Sequence, residues 1–160
     1  MKIFLSLIVA IVSGLILGYI PAKILVPFDL QFLGFLFTFG FGYVGGRIGL
    51  KISDWTRLNI LGIICALIIG LTAFYNYQLH VYLPIKRNPP EGTPPAIVDL
   101  KNSPEPQGFF RYAQLTALEE VRVIGRRGRK NYMPKMGVWI IEVVILGVVA
   151  FAISKDDLED

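Results

Sequence analysis

Four apolar runs alternate with polar stretches along the 160 residues of the chain. The runs cover about residues 3–20, 28–46, 58–79 and 136–153 and contain few charged side chains. A helix needs about 20 residues, at about 1.5 Å each, to cross a hydrocarbon core of about 30 Å. The pattern therefore predicts an all-α integral membrane protein with four transmembrane helices. The first run has no small-x-small cleavage pattern before Pro21, so we interpret it as a retained helix.

Small residues recur at every fourth position in the first three runs. Positions four apart share one face of a helix, so each run offers a strip where a neighbouring backbone can approach closely. The strips are Ala10, Gly14, Gly18 and Ala22, then Gly34, Thr38, Gly42 and Gly46, then Gly62, Ala66 and Gly70. We predict helix packing at Gly14, Gly18, Gly42, Gly46, Gly62 and Gly70. A further pair, Gly45 and Gly49, makes the second helix slim on two faces.

A polar, proline-rich stretch separates the third run from the fourth. Seven of the ten prolines lie between residues 84 and 106, which predicts an extended and partly disordered chain there. Good helix formers then predict an amphipathic helix over about 107–120, either at the membrane interface or packed under the bundle. Residues 121–124 suit a short strand. The predicted organisation is a three-helix block (1–83), an extramembrane segment (84–135) and a fourth helix with an acidic tail (136–160).

Charge is concentrated just before the last run. With 54% hydrophobic residues and a net charge of +4, the chain is too apolar and too unevenly charged for an ordinary soluble domain. A basic cluster at a helix end favours anionic lipid headgroups, at about 1 kcal/mol per residue, and a nucleic acid is not expected. The predicted lipid or partner contacts are Arg126, Arg127, Arg129 and Lys130.

The distribution of Lys and Arg bears on orientation. The excess in the 84–135 segment favours placing that segment in the cytoplasm, with both termini outside. Lys2 and the three basic residues at 47–57 oppose this orientation. The membrane is taken to be a plasma membrane of bacterial type.

Glu142 stands out because it is an acidic residue inside an apolar run. It lies about six residues, or about 9 Å, into the fourth run, where a charged acid costs at least ~2.5 kcal/mol. Ser13, Thr38 and Thr72 fall within about two helical turns of the same depth, which predicts an intramembrane polar layer. Three interpretations remain open: a structural clasp that fixes helix register, a proton or cation site, or a pairing with a basic residue of another protein.

Side chains suited to catalysis are sparse. Cys65 is the single cysteine and His80 the single histidine, so neither a disulfide within the chain nor a set of metal ligands is expected. Tyr75, Tyr77 and Tyr82 near the end of the third run suit an aromatic belt at the membrane interface. Gly40, Gly42 and Gly45 match the spacing of a dinucleotide-binding motif, but they interrupt a membrane span. No metalloprotease helix, nucleophile elbow or phosphate loop is present, so we expect no enzyme and no cofactor.

These features favour a non-catalytic accessory or scaffold subunit of a membrane complex. It would dock a partner protein, a second copy or anionic lipid through residues 84–135. The alternative is a small transporter or channel that uses the polar layer around Glu142. A third hypothesis is a lipid-interacting protein whose basic segment senses anionic membranes.

Overall fold

A computed structural model describes residues 1–25, 34–118, 120–124 and 130–155. The described chain is predominantly helical, with one pair of short strands. Its elements are α1 (Lys2–Leu25), α2 (Gly34–Thr56), α3 (Asn59–Arg87), α4 (Pro95–Val98), a 3₁₀ turn (Asp99–Asn102), α5 (Gln107–Thr116), β1 (Glu120–Ile124), β2 (Lys130–Pro134) and α6 (Lys135–Lys155). These elements form two compact units, one comprising Met1–His80 with Glu142–Asp160 and the other Val81–Ile141.

Three of the described helices are long and apolar enough to cross a membrane. They are Lys2–Ile24, Asn59–Arg87 and Lys135–Ile153. The prediction of a helical membrane protein is therefore supported at these three segments. The second predicted span, 28–46, falls partly outside the described residues. The described part of α2 carries Arg47, Lys51 and Asp54 together with six glycines, which lowers its hydropathy.

The helices of the first unit run in alternating directions. Gly14 of α1 lies against Ile69 and Thr72 of α3, and Gly18 lies against Ala73. Residue numbers thus increase together along α1 and α3, so these two helices are parallel.

Helix α2 contacts two neighbours through its two glycine faces. Gly49 lies against Gly62 of α3 and Gly45 against Ala66, so α2 and α3 are antiparallel. On the other face, Gly46 lies against Ala150 and Ile153 of α6, and Gly42 against Leu146 and Val149. Helices α2 and α6 are therefore parallel. Each approach is possible because glycine has no Cβ.

The turn between α2 and α3 is short. Helix α2 ends at Thr56 and α3 begins at Asn59, with Arg57 at φ 58° between them. A left-handed residue just after a helix reverses the chain within a few residues, which brings the two helices together as an antiparallel pair. The Ser53 hydroxyl donates to the Asn59 amide oxygen across this turn at 2.9 Å.

The second unit contains more helix than its prolines predicted. Helix α3 continues through Pro84 to Arg87, and the backbone N–H of Asn88 still donates to the Pro84 carbonyl at 2.9 Å. Pro95 begins α4, where a proline is compatible because the first N–H of a helix needs no partner within the helix. The prediction of an extended chain over residues 84–106 was therefore wrong at the last turn of α3, at α4 and at the 3₁₀ turn.

The amphipathic helix and the strands follow one another closely. Helix α5 begins at Gln107 and ends at Thr116, whose hydroxyl donates to the Tyr112 carbonyl at 3.0 Å. Strand β1 then pairs antiparallel with β2, with Glu120 opposite Pro134 and Ile124 opposite Lys130. Helix α5 is shorter than the predicted range because the chain turns at residues 117 and 118 before entering β1.

Candidate functional site

Glu142 is buried within the first unit. Its side chain is only 6% exposed. It lies one turn before Leu146 on α6, and Leu146 packs against Gly70 of α3 and Gly42 of α2. Positions four apart share a helix face, so Glu142 is directed toward α2 and α3 and away from the lipid. Its Oε2 atom is buried and accepts no hydrogen bond from any described residue.

Tyr77 of α3, which the predicted polar layer did not include, lies near Glu142. The Tyr77 hydroxyl lies close enough to the Glu142 carboxyl to interact with it electrostatically. Tyr77 is 4% exposed, and its ring meets the ring of Phe41 edge to face at a centroid distance of 6.2 Å. Like Oε2 of Glu142, its hydroxyl is buried without a hydrogen-bond partner among the described residues. Two buried polar groups therefore lie near each other between α3 and α6.

The prediction of an aromatic belt was wrong for two of its three tyrosines. Tyr77 and Tyr82 are both buried by protein, with exposed fractions of 4% and 0%. Residue type and position near a helix end favoured an interfacial role, but neither reveals whether a ring faces lipid or a neighbouring helix.

The other residues of the predicted polar layer lie on three helices. Thr38 is buried on α2, one turn before Gly42, and Gly42 contacts Leu146. Because α2 and α6 are parallel, Thr38 lies at about the level of Glu142. Thr72 instead lies against Gly14 of α1, and Ser13 is partly exposed on α1. Convergence of all four side chains remains a prediction.

A separate polar contact joins α1 to α3. The Asn76 side-chain amide donates to the backbone carbonyl of Leu15 at 2.6 Å. His80 Nδ1 donates to the Asn76 carbonyl at 2.8 Å, and its ring contacts the ring of Tyr19 edge to face at 5.0 Å. His80 thus packs and donates a hydrogen bond at this end of the helix pair.

The second unit is built on an aromatic core. Tyr82 lies between Phe109 and Tyr112 of α5, at ring centroid distances of 5.8 and 4.7 Å. The Lys135 ammonium donates to the Tyr112 hydroxyl at 3.2 Å and lies over the ring of Trp139 at 5.5 Å. These contacts hold α5 against the ends of α3 and α6.

An ion pair reinforces this core. Lys86 and Glu105 approach to 2.6 Å, and Lys86 also donates to the Ser103 carbonyl. The second Glu105 oxygen accepts the backbone N–H of Phe109 at 3.1 Å. Gly108 fits here because an added Cβ would lie 2.9 Å from the Tyr82 hydroxyl. The loop before α5 is therefore fixed by charge-assisted hydrogen bonds.

Most of the predicted basic contacts to lipid or a partner lie outside the described residues. Arg126, Arg127 and Arg129 lie outside the described residues, and Lys130 is described only as the first backbone position of β2. Among the described residues, no group of three or more His, Cys, Asp or Glu side chains could hold a metal ion.

Comparison with protein-family models, with curated proteins and with solved structures found no significant match. The site geometry and the sequence therefore carry the functional argument.

Proposed function

We propose that the protein is a non-catalytic, four-helix membrane protein that acts as an accessory or scaffold subunit, docking a partner protein or anionic lipid through residues 84–135. The supporting observation is the exposed apolar surface on a unit that has its own core. Phe109 and Tyr112 of α5 face that core, while Phe110 is 55% exposed and Leu118 is 82% exposed. Exposed large apolar side chains on a folded extramembrane unit are typical of a docking surface.

We further propose that α2 is the fourth span. Its glycine faces lie against α3 and α6, which are themselves apolar enough to cross a membrane. A helix held between two spanning helices lies in the bilayer with them, and the connection of two residues to α3 supports this placement. Reporter cysteines at positions 90 and 156, introduced after removal of Cys65, would test the proposed cytoplasmic 84–135 segment and the external termini.

The docking proposal is tested by copurification from native membranes in mild detergent. We expect a partner protein to copurify with the wild type and to be lost when Phe110 and Leu118 are replaced by serine. The matched control is Ile60→Ser, since Ile60 is 74% exposed on the first unit. A monodisperse wild-type protein with no copurifying partner and no preference for anionic lipid would contradict the proposal. Equal loss of the partner in the control variant would also contradict it.

The second candidate function is a small transporter or channel centred on Glu142. The observation that favours it is the buried, unpartnered Oε2 of Glu142 beside the buried Tyr77 hydroxyl. Intramembrane ionisable groups commonly mark proton or ion pathways. In reconstituted vesicles, Glu142→Gln should reduce proton or monovalent cation flux to the level of protein-free vesicles, while Glu91→Gln should leave it unchanged. Absence of flux through the wild-type protein would reject this candidate.

A further inference from the structure

A basic cleft lies at the carboxyl end of α3 in the second unit. It is an open cleft of about 370 Å³ and is lined by Leu83, Lys86, Arg87 and Lys101. Three of these four residues are cationic and none is acidic. Lys101 comes from the 3₁₀ turn, so the cleft joins two elements that are separated in sequence.

The three cations of this cleft differ in whether they form an ion pair. The Lys86 ammonium is paired with Glu105 at 2.6 Å and is fixed in place by that contact. Arg87 and Lys101 are both exposed, and neither forms an ion pair with a described residue. The cleft thus carries two cations that have no counter-ion among the described residues, next to a third that is held in position. This arrangement favours an anionic ligand.

The position of the cleft along α3 indicates the source of the anion. Helix α3 has 29 residues, or about 44 Å, close to the ~40–45 Å thickness of a bilayer that includes both headgroup layers. The last turn of α3, which carries Lys86 and Arg87, therefore reaches the headgroup layer. Leu83 lies one turn deeper and supplies an apolar wall for the glycerol and upper acyl region.

We propose that this cleft binds the phosphate of an anionic phospholipid headgroup. Arg87 and Lys101 contact the phosphate oxygens, and Lys86 presents its one remaining ammonium hydrogen atom to the same group. The proposal rests on the proposed function in one respect, namely that residues 84–135 engage lipid. It assigns that role to three residues outside the basic cluster at 126–130.

The test is native mass spectrometry of detergent-purified protein titrated with phosphatidylglycerol or with phosphatidylcholine of the same acyl chains. We expect the wild type to prefer phosphatidylglycerol. We expect the double variant Arg87→Gln/Lys101→Gln to bind phosphatidylglycerol about 30-fold more weakly, because two headgroup contacts are lost. The matched control is Arg47→Gln/Lys51→Gln, which removes the same charge from exposed positions on α2.

Each arm of the experiment has a distinct meaning. Equal loss of phosphatidylglycerol binding in the α2 control would overturn the cleft and indicate general charge attraction. Displacement of the lipid by millimolar inorganic phosphate would overturn the lipid assignment and indicate a free phosphate site. Retained binding in Arg87→Lys/Lys101→Arg would support the site.

The folding of each variant is checked separately, and a failure of the cleft can be distinguished from a failure of the scaffold proposal. Slow reaction of the buried Cys65 thiol with a maleimide dye verifies that each variant is folded. A failed cleft with intact copurification of a partner would leave the scaffold proposal in place. Loss of lipid selectivity in the cleft variant, together with absence of a copurifying partner, would support the cleft and contradict the docking of a partner protein.

Discussion

Gly18→Ala and Gly49→Ala are each expected to lower the thermal unfolding midpoint by about 3–10 °C, since overpacking a tight contact typically costs about 1–3 kcal/mol. A Cβ at Gly18 would collide with the backbone carbonyl of Ala73 on α3. A Cβ at Gly49 would lie 2.5 Å from the carbonyl oxygen of Gly62. In both cases the obstacle is backbone, so relief requires that a whole helix moves and no change of rotamer suffices.

The chain provides matched controls and its own reporter for this experiment. Gly40 of α2 and Gly147 of α6 have no atom within 4 Å of an added Cβ. Alanine there should leave the midpoint unchanged or raise it, because alanine favours helix by about 1 kcal/mol over glycine. The reporter is Cys65, which is 0% exposed in a core cluster with residues of α1, α2 and α3. Heating with a thiol-reactive dye measures its exposure. Equal midpoints for Gly18→Ala and Gly147→Ala would contradict the packing.

The packing faces could be predicted from sequence because helix geometry determines which residues share a face. Gly42 and Gly46 lie on one face of α2, and Gly45 and Gly49 lie on an adjoining face about 60° away, as their spacing requires. Spacing does not reveal which neighbour each face meets. That pairing depends on the order of the helices and on a knob such as Leu146, which fills the space above Gly70.

For the residues around Glu142, only their depth in the membrane could be predicted from the sequence. Counting residues places Ser13, Thr38 and Thr72 at a similar level but gives no information on the rotation of each helix about its axis. Rotation directs Thr72 toward Gly14 of α1 and brings Tyr77 near Glu142 instead. Because tyrosine is common at membrane interfaces, the sequence predicted an interfacial position for Tyr77 and not a position near Glu142.

The proline-rich segment shows how a residue preference can mislead. Proline disfavours the interior of a helix, yet α3 continues through Pro84. Proline is also compatible with a first turn, where Pro95 begins α4. Aromatic contacts between Tyr82 of α3 and Phe109 and Tyr112 of α5 form the core of the second unit. Such contacts join residues about 30 positions apart, which a local reading of the sequence cannot anticipate.

Glu142→Leu is expected to raise the free energy of unfolding by about 1–3 kcal/mol, the usual cost of burying an unsatisfied polar group. The variant removes a carboxylate oxygen that is buried without a partner among the described residues, and it retains the apolar contacts of the side-chain stem. A structural clasp would give the opposite sign, because its loss would separate α6 from α2 and α3. Stability of the Leu variant, measured through Cys65 exposure, therefore distinguishes a clasp from a site that is maintained at a cost in stability.

The reciprocal control is Leu146→Gln, one turn along the same face of α6. Leu146 is 0% exposed, so a glutamine amide there would be buried among apolar side chains and should lower the thermal unfolding midpoint. Tyr77→Phe completes the set, because removal of a second buried polar atom without a described partner should also raise the free energy of unfolding. If Glu142→Leu destabilises the protein and Tyr77→Phe does so as well, the two side chains hold the helices together and the transporter alternative loses its structural support. If Glu142→Leu stabilises it, the acid does not act as a clasp. Flux through the wild-type protein would then indicate a proton or cation site, and absence of flux would favour a pairing with a basic residue of another protein.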